Sequence, residues 1–141
     1  MLILALFAAL LAPASTLDSL RFLQGDWIAE GGSFSLRPEL DGKILVRRNH
    51  SQPTGGNPHE DLMVIHPGAA DYWDNEGHVI HYAVTADGRS AVFLSREDGA
   101  GPRFRLTYVS TGAHTVSIKF EIAPPGKPFQ SYLEGKVHRK P

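Results

Sequence analysis

From Trp27 onward, turn signals recur about every 8 to 12 residues, a spacing that admits strands and leaves no room for crossover helices. The segments between them read as strands at 27–31, 33–37, 43–50, 60–66, 70–73, 78–85, 90–95, 103–109, 115–122 and 131–139. Asp41-Gly42, Asn75-Glu76-Gly77 and Asp87-Gly88 are hairpin-type connections, because glycine accepts the positive φ that tight turns require. Strands adjacent in sequence therefore pair antiparallel. A meander of about ten strands exposes two long edges if it lies flat and none if it closes on itself. The expected fold is an all-β antiparallel barrel. With 10 Pro and 14 Gly, long helices are excluded.

One short N-terminal helix is expected ahead of the strands. Thr16 can cap it, Leu17, Leu20 and Leu23 recur at three-residue spacing, Asp18 falls in the first turn, and Gly25 is placed to end it. Strand faces are legible late in the chain. Phe104, Leu106 and Tyr108 alternate with Arg103, Arg105 and Thr107, and Val116, Ile118, Phe120 and Ile122 alternate with Ser117, Lys119 and Glu121. The apolar faces point inward. The last strand divides into Tyr132, Glu134, Lys136 and His138 against Leu133, Gly135 and Val137, and neither set is apolar enough to choose a side.

Met1–Ala14 (MLILALFAALLAPA) carries no charged side chain. Its apolar run Leu2–Ala12 is short for a bilayer span, and Ala12-Pro13-Ala14 offers small residues in the A-x-A pattern of a cleavage site. The reading is a signal peptide at 1–14, export to the periplasm or beyond, no stable membrane span after cleavage, and a single domain at 15–141. Fourteen Lys and Arg stand against fifteen Asp and Glu, without the basic excess that nucleic-acid binding requires. No cysteine is present, so disulfides, thiolate metal sites and a thiol nucleophile are excluded and the core alone holds the fold.

Phe22-Leu23-Gln24-Gly25-Asp26-Trp27, a short helix running into the first strand of a meandering barrel, resembles the calycin superfamily and, most closely, bacterial lipocalin-like domains of unknown function. Gly25 and Trp27 match the G-x-W of that group. The resemblance implies that Trp27 lies across the closed end of the barrel. A thinner likeness is to haem-binding nitrobindin barrels, whose last strand follows a Pro-rich loop. Pro128-Phe129-Gln130-Ser131-Tyr132-Leu133 takes the comparable place here, with Tyr132 where the axial His would stand. Tyr ligates ferric haem elsewhere, which keeps a haem-barrel alternative open.

The seven His invite a metal site, yet His78 and His81 fall on opposite faces of a strand, and His59, Glu60 and Asp61 border a polar loop. No metal site is expected. G-x-S-x-G, H-E-x-x-H, S-x-x-K and a phosphate-binding loop are all absent, so no motif supports catalysis. A Glu134 held inside the barrel would have a raised pKa and suit acid–base work; on an outer edge, with Lys136, it would simply face water. A barrel interior is either filled or open to one small ligand. Tyr82, Phe93, Phe104, Tyr108 and Phe120 are the expected apolar lining, with Arg48, His50, Tyr132 and Glu134 as polar anchors, a combination suited to a small apolar or amphipathic ligand and requiring no cofactor.

Overall fold

The computed structural model describes residues 16–96 and 100–141. The proposed signal peptide lies outside these residues. A four-residue helix α1 (Thr16–Ser19) and a 3-10 turn (Arg21–Leu23) precede ten strands. They are β1 (Gly25–Ala29), β2 (Gly32–Glu39), β3 (Ile44–Ser51), β4 (His59–His66), β5 (Ala69–Asp74), β6 (Val79–Ala86), β7 (Ser90–Ser95), β8 (Arg103–Gly112), β9 (Thr115–Ala123) and β10 (Gln130–Arg139). All pairings are antiparallel, and the ring closes in the order β1-β10-β9-β8-β7-β6-β5-β4-β3-β2. The expected all-β meander barrel is what the chain forms. Among the described residues no helix is long and apolar enough to cross a membrane.

The short N-terminal helix expected is α1, and a 3-10 turn follows it. The helical turns end at Leu23, Gln24 is already extended, and Gly25 opens β1 with φ 118°. Leu17, Leu20 and Leu23 are buried all the same, because three-residue spacing presents one face in either kind of turn. Gly25 is demanded by two constraints: its left-handed φ, and the Arg139 guanidinium, which a Cβ there would meet at 2.9 Å.

These turns pack against β4 and β6 and close one end of the barrel. Trp27 is buried beneath them and donates from Nε1 to the Leu23 carbonyl at 2.9 Å. Arg139, at the end of β10, lies over the indole ring and donates to the Gln24 and Phe22 carbonyls at 2.7 and 3.1 Å. From Trp27 a chain of ring contacts runs through Phe34, Tyr108, Phe93 and Tyr82 to Tyr72, with centroids 5.9–6.4 Å apart. Tyr82, Phe93 and Tyr108, expected as ligand lining, are packed core residues here.

The seam between first and last strands is short. β1 pairs with β10 at Trp27↔Arg139 and Ile28↔His138, and Lys140 N–H adds a hydrogen bond to the Asp26 carbonyl at 2.8 Å. From Gln130 to Lys136 β10 pairs with β9 alone, and its residues there are exposed. A bulge between Ser131 and Leu133 resets the alternation of this strand. Pairing then carries Leu133, Gly135 and Val137 inward, opposite Phe120, Ile118 and Val116.

Candidate functional site

In a ten-membered ring each strand faces the one five places away, so β8, β9 and β10 stand opposite β3, β4 and β5. At the end of the barrel away from α1 these two walls differ in chemistry. The inner face of β8–β10 offers Phe104, Leu106, Ile118, Phe120 and Leu133, all short of full burial. Phe104 and Phe120 stack with centroids 6.1 Å apart, and Tyr132 meets Phe120 edge-on at 6.0 Å. The inner face of β3–β5 instead offers Asn49, His59, Asp61, Tyr72 and Asp74. The mouth is apolar on one side and polar on the other.

The polar side is one connected network. Arg47 is ion-paired with Asp61, whose Oδ2 also accepts from Asn49 Nδ2 at 2.9 Å and lies 3.2 Å from His59 Nε2. His59 Nδ1 lies 3.1 Å from Glu76. Burial works against a charge on His59, but with an acid at each ring nitrogen its pKa is held above the ordinary value. The Tyr72 hydroxyl donates to Asp74 Oδ2 at 3.1 Å. Asp74 also accepts the backbone N–H groups of Glu76 and His78 and the His78 ring nitrogen, at 2.8–3.0 Å. Burial pushes its carboxyl up, and these hydrogen bonds, led by those from His78, bring it below the usual value. Burial and the neighbouring Asp61 and Asp74 charges push the Tyr72 phenol up, so it remains a donor.

Arg47 lies deeper, 9% exposed, with its guanidinium over the Phe34 ring at 5.3 Å. Tyr72, Tyr82 and Tyr108 surround its charge. Two buried atoms in this cluster, Arg47 Nε and the Tyr108 hydroxyl, make no hydrogen bond.

Arg48 and His50, expected in the interior, are on the outer face. Parity on β3 is the reason: Leu45, Arg47 and Asn49 turn inward and Val46, Arg48 and His50 turn outward. With Asp26, Ile28, Ser33, Ser35, Glu60 and Lys140 they border a groove of about 520 Å3 across β1–β4, whose lining also takes in Trp27, Phe34, Asn49 and Asp61 between them. Pairing places Ile28, Ser33, His50 and Glu60 along one side of it and Asp26, Ser35 and Arg48 along the other. Small serines at the centre and long side chains at the edges shape it, and His50 Nδ1 lies 3.3 Å from Glu60.

Glu134 is likewise outside, exposed, 3.7 Å from Lys119 and accepting from Ser131 Oγ at 3.1 Å. The interior carboxylate expected there is replaced by Asp61 and Asp74. Tyr132 occupies the bulge at the rim and is 72% exposed, with its ring against Phe120 rather than inside the barrel. Phe104 and Phe120 do line the mouth, as their alternation implies. The sequence points to neither Arg47 nor Asn49, and to Asp61 only as a polar residue bordering a loop. Their signal was the shared parity of Arg47 with Asn49 and of Asp61 with Met63, masked because Leu45 and Val46 are both apolar.

His81 points outward to Asp71 at 2.6 Å, and His78 lies just before β6, bound to Asp74. Among the described residues no group of three His, Asp or Glu is placed to hold a metal ion. No protein-family model matches the chain, and no curated protein matches its sequence.

Proposed function

We propose that this chain is an exported, lipocalin-like binding module that takes a small amphipathic molecule at the open end of its barrel. One observation carries the reading: β8–β10 set a partly exposed apolar wall directly across from the polar network of β3–β5. A molecule with an apolar body and a polar end matches both walls at once. The closed end is filled by Trp27, Phe34 and the buried Leu17, Leu20 and Leu23, which confines the ligand to the mouth half and keeps it small. The test is titration with a neutral naphthylamine dye. Saturable fluorescence enhancement is expected, together with its loss in Phe120→Asp that keeps its β-sheet circular dichroism. A folded wild-type chain that gives no saturable enhancement overturns the proposal.

A further inference from the structure

The identity of the ligand's polar end follows from what the network still lacks. Along β8 the inner positions run Phe104, Leu106, Tyr108 from the mouth inward, and along β3 they run Asn49, then Arg47. A molecule lying against the apolar wall therefore leads with its inner end toward Tyr108 and Arg47. The Arg47 and Tyr108 side chains lie beside each other, and neither Arg47 Nε nor the buried Tyr108 hydroxyl has an acceptor for its proton. Buried donors left unmatched are costly, so an acceptor oxygen brought between them gains more than it would in water.

Charge restricts that oxygen further. The Arg47 guanidinium is already matched by Asp61, and Asp74 lies on the same wall with Glu76 at its rim. A carboxylate head would add another buried anion beside these, with no uncommitted cation to meet it. An ammonium head fares no better for hydrogen bonds. The Asp61 oxygens are engaged by Arg47, Asn49 and His59, and the Asp74 oxygens by Tyr72, His78 and two backbone N–H groups.

Resting on the binding reading above, we infer that the ligand's inner end is an uncharged hydrogen-bond acceptor, a ketone, ester or hydroxyl oxygen, held by Arg47 Nε and the Tyr108 hydroxyl. The span from Phe104 to Tyr108 is about 13 Å at the strand rise, comparable to the length of a medium alkyl tail.

Competition against the bound naphthylamine dye tests this with decanone, decanol, decanoate and decylamine at pH 8 on the full chain. Decanone and decanol are expected to displace the dye at least about tenfold more effectively than decanoate or decylamine, as expected of a site that hydrogen-bonds a polar group. In Tyr108→Phe the ratio of decanone to decanoate affinity is expected to fall toward one, and in Glu134→Gln on the outer face it is expected to stay at the wild-type value. Decanoate or decylamine matching decanone, or a ratio unmoved by Tyr108→Phe, overturns the head-group inference and leaves the mouth as a binding site. Failure of the folded chain to bind the dye overturns the binding site itself, and this inference with it.

Discussion

The guanidinium of Arg139 lies 4.4 Å from the centre of the Trp27 ring while donating to two carbonyls of the plug turn, so the end of the last strand clamps the start of the first. Trp27→Ala is expected to cost about 3 to 5 kcal/mol, since a large aromatic leaves a cavity that the surrounding residues cannot fill. Arg139→Ala removes charge-assisted hydrogen bonds and is expected to cost about 2 to 3 kcal/mol. Urea denaturation measures both. Values below about 0.5 kcal/mol would place these side chains outside the framework of the barrel.

Asp61 is the counter-ion of a buried cation. Asp61→Ala leaves Arg47 unpaired in the interior and is expected to destabilise by about 3 to 5 kcal/mol. Asp61→Asn retains the shape without the charge. Comparing the two variants by denaturation separates the ionic contribution from the packing contribution.

Tyr108→Phe should behave in the opposite way. Removing a buried hydroxyl that makes no hydrogen bond is expected to leave stability unchanged or raise it by up to about 1 kcal/mol. A loss above about 1 kcal/mol would show that the hydroxyl is satisfied in solution.

Stability should fall at both ends of the pH scale. Asp74 and Glu121 have carboxyls held below their ordinary values of 3.8 and 4.5, Asp74 by hydrogen bonds that outweigh burial and Glu121 chiefly by Arg105. Their contribution is present above those ordinary values and is lost as pH drops through the lower folded ones. His59 is held above 6.5, so its contribution is complete below that pH and disappears as pH rises through its folded value. Denaturant midpoints measured across pH are expected to show both limbs, and His59→Asn is expected to flatten the upper one.

The strand count and hairpins were legible because each turn is written locally, in pairs such as Asp41-Gly42 and Asp87-Gly88. The inner face of β8 and β9 was legible as well, since every second residue there is apolar. On β3 the signal fails: Leu45 faces the core and Val46 is buried on the outer side, so the pattern names no face and does not distinguish Arg48 from Arg47. On β10 one bulged residue changed the parity, which moved Glu134 to the surface and Tyr132 to the rim. The Arg47–Asp61 pair joins two strands and becomes visible only when their register is known.

Among the described residues every strand pairing but one joins neighbours in sequence, and the exception is the two-residue seam between β1 and β10. Hairpins can therefore zip up one after another at low loop-closure cost, while the final step must join segments more than a hundred residues apart. That makes closure the slow event in folding and the seam the first contact to open. A circular permutant that links the C-terminus to Thr16 and is cut at Asp87-Gly88 would make the β1–β10 pairing local and leave β6–β7, paired over Tyr82↔Ser95 to Ala86↔Ala91, as the distant one. Such a chain should keep the same barrel while its slow closing step moves from β1–β10 to β6–β7.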